Sequence, residues 1–178
     1  EAIKSCADKG IPNVSLGDGA KLPYPDNYFD VLISSDVLEH IENDVAALNE
    51  WSRVLKPGGK MIMLTPAHPL LWSEHDVANK HVRRYDKSIL GTIVIDSKFE
   101  ILRISYWNMS LFLPAVVIKF ILRLLPKKSS VAPHTHLYGS FSIINSLLKR
   151  LLQLENIFIE HGVNLPFGIS LLVVASKK

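Results

Sequence analysis

Cysteine is almost missing from this sequence: Cys6 stands alone among 178 residues. A single thiol excludes a disulfide framework within the chain and fits a reducing, cytoplasmic setting. Also missing is an apolar run long enough to span a bilayer. The longest helical apolar stretch, Ser110–Leu125, has 16 residues, short of the ~20 that a spanning helix needs. Acidic residues vanish entirely from Trp107 to Leu154, where six basic ones stand. There is no secretory signal. The chain opens on Glu1 rather than Met, in residues that read as the end of a helix, so it is read as a piece of a longer protein.

What is present suits one globular domain: 48% hydrophobic and 21% charged residues, in a length that can bury a sizeable core. The formal net charge of +3 conceals a division. Glu1–Asp76 carries six basic residues against twelve acidic ones, and Val77–Lys178 fourteen against five. Such asymmetry fits either an anionic partner or a merely solubilising face.

The stretch Gly17–His68 organises the rest. Two apolar strand-like runs, Asp30–Ser34 and Lys60–Thr65, flank an amphipathic segment with Ala47, Leu48, Trp51, Val54 and Leu55 on one face. Asn43 or Asp44 suits its N-cap, and Lys56-Pro57-Gly58-Gly59 stops it. Strand, helix and strand in this order predict a right-handed βαβ unit. Val31-Leu32-Ile33 is apolar throughout, the pattern of a central parallel strand covered on both faces. The first strand ends in Ser34, Ser35 and Asp36, and open α/β sheets bind ligands at such carboxyl ends.

Five pieces in this order, Gly17-Asp18-Gly19-Ala20, Leu22-Pro23-Tyr24-Pro25-Asp26, Phe29-Asp30, Val37-Leu38-Glu39-His40 and Leu55-Lys56-Pro57-Gly58-Gly59, resemble class I S-adenosylmethionine-dependent methyltransferases of the type 11 and type 12 kind. The resemblance is closest over Glu1–Thr65, weaker in the middle, and returns in the last strand. It implies an α/β, Rossmann-like, doubly wound sheet, mostly parallel with one antiparallel edge strand. It implies S-adenosyl-L-methionine as cofactor, with Asp18, Gly19 and Ala20 around the adenine and Ser34 and Ser35 bordering the methionine part. The competing reading of Asp18-Gly19 is a plain turn, while Gly17 and Gly19 are expected to supply backbone freedom and close approach. The family's opening strand, its G-x-G-x-G loop and the acidic residue for the ribose do not occur here. The first two strands are therefore expected to be missing from this piece.

Around that unit, Glu1–Lys9 reads as a helix stopped by Gly10, and Val14-Ser15-Leu16 as a short buried strand. Val37–Ile41 forms a short turn or helix. His40 suits a general base, or Glu39-His40 orders the loop. The segment His68–Asp86 reads as a substrate-side loop. His68, His75 and His81 invite zinc, but their spacing matches no ligand pattern and no cysteine is near; no metal is expected. The run Trp72-Ser73-x-x-Asp76, then His81-x-Arg83-Arg84-Tyr85, is similar to a methyltransferase subgroup. It implies His81 as a second catalytic candidate, Arg83 and Arg84 as a clamp for carboxylate or phosphate, and Trp72 and Tyr85 in the pocket. Alternatively Arg83 pairs with Asp76 or Asp86.

Lys87–Ser97 predicts a helix, and Phe99–Tyr106 and Ser170–Ala175 predict strands pairing antiparallel at the sheet edge. The roughly sixty residues between them exceed an ordinary loop. Residues 1–106 and 166–178 are thus assigned to the methyltransferase sheet and 107–165 to a helical insertion. Its helices are Ser110–Leu125, with Lys119 and Arg123 on one face, and amphipathic Ser140–Glu155. They suit a lid over the site, or a basic apolar surface for a membrane or lipid-like substrate. The expected function is methyl transfer to a small-molecule or lipid-like acceptor, without nucleic acid and with possible peripheral membrane contact through 107–154. The alternative is a non-catalytic binding or membrane-associated module on the same fold.

Overall fold

The computed structural model describes residues 2–124 and 142–178. Its elements are α1 (Ala2–Asp8), β1 (Phe29–Ser35), α2 (Asp44–Val54), β2 (Leu55–Pro66), α3 (Glu74–Ala78), α4 (Lys87–Asp96), β3 (Phe99–Trp107), α5 (Phe112–Leu124), α6 (Ser142–Glu160) and β4 (Ser170–Lys177). The expectations that fall on Glu1 and on 125–141, among them the last residue of the predicted helix Ser110–Leu125 and the first of Ser140–Glu155, lie outside the described residues.

Four strands form one open sheet in the order β1-β2-β4-β3. β1 and β2 are parallel, with Leu32 beside Met61 and Ser34 beside Met63. β4 runs antiparallel to both neighbours, placing Val173 against Met63 on one side and Ile104 on the other. The antiparallel strand thus sits one position in from the edge rather than at it, and β3 closes that side.

The connection between β1 and β2 follows from the sequence. The Asn43 side chain accepts a hydrogen bond from the Ala46 N–H at 3.0 Å, satisfying one of the free donors at the start of α2. Ala47, Leu48, Trp51 and Val54 then bury themselves on the sheet with Leu55. Each such side chain contributes roughly 1.5–3 kcal/mol. The helix ends at Val54, and the Lys56–Gly59 run expected to stop it lies inside β2, where Gly58 takes φ +75° and a Cβ on Gly59 would lie 2.8 Å from the Lys56 carbonyl oxygen. The core is the α2 face, α4 through Leu90 and Val94, and the alternating inward residues Met61, Met63, Leu171, Val173 and Ala175.

Three expectations change. Val14–Leu16 is not a strand: its residues are exposed, and no described strand lies beside it. β1 is an edge of the described sheet, and Val31 and Ile33, which share one face and were expected to be covered, are 50% and 70% exposed. Gly17 and Gly19 do not adopt positive φ. Gly19 is small because a Cβ there would meet the Ile41 side chain at 2.9 Å.

The segment between β3 and β4 is tied down by polar contacts. Buried Glu155 on α6 accepts from the Met109 and Ser110 N–H groups at 2.7 and 2.6 Å, just before α5. Arg103 on β3 donates to the Ile159 and Val163 carbonyls at the end of α6 and to Asn164 Oδ1.

Candidate functional site at the carboxyl end of the first strand

The Gly17–Ala20 turn is held from both sides. Trp51 Nε1 donates to the Gly19 carbonyl at 2.8 Å, and the Ala20 N–H donates to Asp18 Oδ1 at 2.9 Å. Asp18 thus builds its own turn while staying exposed. Arg53 anchors the segment that follows, donating to Asp26 at 2.6 Å, to Glu50 at 2.8 Å and to the Leu22 carbonyl. These carboxylates hold its guanidinium pKa above the ordinary value. Gly19 and Ser34 both line a cleft of about 320 Å³, with Leu22, Phe29, Val37 and Trp51. Ser34 Oγ is buried without a hydrogen-bond partner, which is unusual for a native hydroxyl unless a ligand or water completes it. Ser35 Oγ instead donates to Asp36 Oδ2 at 3.1 Å. An apolar cleft with one orphaned hydroxyl and a polar turn at its rim fits a nucleoside-bearing ligand.

Beyond β1 the chain turns through Leu38–His40, and the segment after α3 packs against this turn. The Val82 N–H donates to the Glu39 carbonyl at 2.7 Å. This bond brings His81 beside His40, ring centroids 4.8 Å apart and nearly perpendicular. His81 Nδ1 lies 2.9 Å from Asp76 Oδ1, and His40 Nδ1 lies 3.3 Å from the Lys80 carbonyl oxygen. Glu39 is fully buried; its Oε2 accepts from Thr65 Oγ1 at 3.2 Å, and its Oε1 has no partner. Burial pushes the Glu39 carboxyl above its ordinary range. Burial acts in the same direction on Asp76, but hydrogen bonds from Arg84, the Ser73 N–H and His81 outweigh it and bring Asp76 down to about 2.

The expected arginine clamp is engaged elsewhere. Arg83 donates to Asp44 Oδ2 at 2.7 Å and to the Glu42 carbonyl, so its partner is Asp44 rather than Asp76 or Asp86. Arg84 Nε donates to Asp76 Oδ1 at 2.7 Å. Tyr85 lies in the core, its hydroxyl donating to Asp44 Oδ2 at 3.1 Å, and burial raises its pKa. Trp72 is half-buried, and its carbonyl accepts from Lys119 Nζ on α5. The structure brings His40 and His81 together and leaves the other two histidines apart. His68 stacks on Tyr106 at 5.0 Å, and His75 meets Asn79. Sequence reasoning missed Asp76 as the carboxylate behind His81 and Glu39 as the buried third member. The position of Asp76 three residues after Ser73 was the available signal, since a carboxylate there can bond back to the Ser73 backbone.

Comparison with known proteins places this geometry. A methyltransferase domain family model matches residues 1–63. The ubiquinone/menaquinone biosynthesis C-methyltransferase UbiE of Ectopseudomonas mendocina is 33% identical over 132 residues, covering 58% of this chain and 51% of that protein. An S-adenosylmethionine-dependent methyltransferase structure from Mesorhizobium loti has a TM-score of 0.58 at 16% identity, covering 99% of this chain and 76% of that one. Over residues 1–63 the chain is similar to the methyltransferase domain family, and its fold is that of the S-adenosylmethionine-dependent methyltransferase from Mesorhizobium loti. The chain spans about half the length of this curated relative of Ectopseudomonas mendocina. Its fold is also that of the [4+2]-cyclase SpnF, with a TM-score of 0.55 and 18% identity over 99% of this chain and 61% of that one. The four-strand order above is therefore a framework shared by proteins of different chemistry.

Proposed function

We propose that the protein moves the methyl group of S-adenosylmethionine to an apolar, lipid-like small molecule. The observation that carries this reading is the convergence of Gly19 and Ser34, far apart in sequence, on one apolar cleft with an orphaned hydroxyl. Asp18, Gly19 and Ala20 would hold the adenine and Ser34 and Ser35 the methionine part. The cofactor, when bound, supplies an electrophilic methyl on a sulfonium. The chain's own contribution is position: the turn clamped by Trp51 would orient the cofactor toward the acceptor.

The lid supports a lipid-like acceptor. Leu113, Val117, Ile118 and Phe120 on α5 and Leu147, Leu154 and Phe158 on α6 are exposed, more apolar surface than a cap over a polar substrate needs. The name of the Ectopseudomonas relative makes the ring carbon of an isoprenoid quinone precursor the first acceptor to try. The decisive experiment offers labelled S-adenosylmethionine to the whole protein with a panel of prenylated quinones and small polar amines. Label in the quinones supports the reading, and label only in the amines removes the lipid-like acceptor. Asp18→Ala should weaken S-adenosylmethionine binding by about 1–3 kcal/mol in calorimetry; unchanged affinity takes Asp18 out of the site.

The same exposed helices favour a second reading, a membrane-associated module that keeps the fold without methyl transfer. Cofactor binding with no transfer to any acceptor would select it.

A further inference from the structure

We propose that Glu39, His40 and His81 form a site for one divalent transition-metal ion of the zinc class, with a coordination position left open. The three side chains each offer a ligand atom, and these atoms lie within 4.8 Å of one another. An ion with bonds of about 2.0–2.1 Å draws its donors to roughly 3.4 Å apart. His40 can make up that difference: it is exposed, and a single 3.3 Å contact to the Lys80 carbonyl holds its ring.

The surroundings prepare both imidazoles as ligands. The Asp76 carboxylate faces His81 Nδ1 at 2.9 Å, so this nitrogen is the one turned to a hydrogen-bond acceptor and Nε2 is the one left for an ion. A carbonyl likewise only accepts, so the Lys80 oxygen assigns the proton of His40 to Nδ1 and frees its Nε2. A ring nitrogen held by a carboxylate or a backbone carbonyl is how metal-bound histidines are oriented. Asp76 is itself fixed by Arg84 and by the Ser73 N–H and hydroxyl, the last two at 2.8 and 3.1 Å.

Glu39 supplies the independent observation. It is completely buried, one oxygen is bonded to Thr65, and Oε1 has nothing. Protonation does not cure this, because an O–H at that oxygen would have no acceptor. A cation does. Two imidazoles and one carboxylate select zinc, cobalt or nickel over magnesium or calcium, which prefer oxygen alone. Three protein ligands are also the number found where zinc keeps a position for water or substrate. The ion would sit beyond the carboxyl end of β1, where it could polarise an acceptor oxygen. That use rests on the methyl-transfer reading, whereas the binding does not.

The test titrates the metal-free whole protein with Co2+ alone, without cofactor or acceptor, and reads the visible ligand-field bands. One Co2+ per chain should saturate them, and Zn2+ should displace it. His40→Ala, a surface change that leaves the far-ultraviolet circular dichroism intact, should weaken binding at least about tenfold. Asp76→Asn, acting through His81, should weaken it by about 10–100-fold. His75→Ala, on the outer side of α3, should change nothing. Absence of a saturable band, or a band indifferent to His40→Ala, overturns the proposal. Failure of methyl transfer leaves these readouts untouched, so the two readings fail separately.

Discussion

Asp76 concentrates four hydrogen bonds on one fully buried carboxylate: from Arg84, from His81, and from the Ser73 N–H and hydroxyl. Its pKa falls from 3.8 in the unfolded chain to about 2 in the folded one. A depressed carboxylate binds fewer protons when folded, so its stabilisation is present above pH 3.8 and is lost as pH falls through 2. The shift corresponds to about 2 kcal/mol. Asp76→Asn should therefore lower the unfolding free energy by about that amount at pH 7, with the difference shrinking to nothing near pH 2. Urea unfolding at a series of pH values measures it, and a difference that does not depend on pH would assign the loss to packing instead. Glu39 has the opposite sign. Its raised pKa means that stability falls as pH rises from the ordinary carboxylate range through the folded value. Without metal, Glu39→Gln should accordingly gain on the wild type as pH increases.

At the scale of elements, α6 depends on Arg103. It reaches from β3 to two carbonyls at the end of α6 and to Asn164. Arg103→Ala leaves the Ile159 and Val163 carbonyls without this donor and should cost roughly 1–3 kcal/mol. Hydrogen exchange should then accelerate in α6 and not in α2; equal acceleration in both would mean that the lid and sheet unfold as one unit. The contrast between these helices also marks what the sequence made legible. α2 was readable because its buried face repeats at helical spacing and its cap is local, so Asn43 and Trp51 play the parts expected of them, whereas the helix already stops at Val54, ahead of the Lys56–Gly59 run. The antiparallel pairing of β3 with β4 was readable through the family pattern. Arg83 was not, because its choice among Asp44, Asp76 and Asp86 depends on how a loop folds back across α2. His40 and His81 were each singled out, yet their meeting depends on one backbone bond, Val82 to Glu39, that leaves no trace in composition or spacing. β1 misled for a further reason. An apolar run announces burial, but what buries it is an element packed on its face, and Val31 and Ile33 share a face that stays exposed.

For the molecule as a whole, the separation of charge and the open edge have measurable results. Among the described residues no helix is long and apolar enough to cross a membrane. The region Trp107–Leu154 nevertheless joins six positive charges to exposed apolar side chains. Anionic headgroups attract each such charge by about 1 kcal/mol near the surface. The whole protein should sediment with vesicles containing anionic lipid, less so as salt rises. Lys127→Glu with Lys128→Glu should reduce the effect; no sedimentation at low salt would make the lid a cap and favour smaller acceptors. The exposed Val31 and Ile33 make the edge of β1 a template for strand pairing. The 178-residue chain should be marginally stable and self-associate, and Ile33→Lys should shift it toward monomer in sedimentation velocity. A monomeric chain with a cooperative, high-temperature transition would contradict this.

The position of β4 also sets a timetable. It is the last strand in sequence and an interior strand in space, with partners on both sides. During synthesis β2 must wait with one edge unpaired, and β3 with no strand partner at all, until residues 170–177 leave the ribosome and enter between them. Contacts so distant along the chain make folding slow. For that interval the nascent chain exposes its future centre, and chaperones are needed most just before synthesis reaches β4.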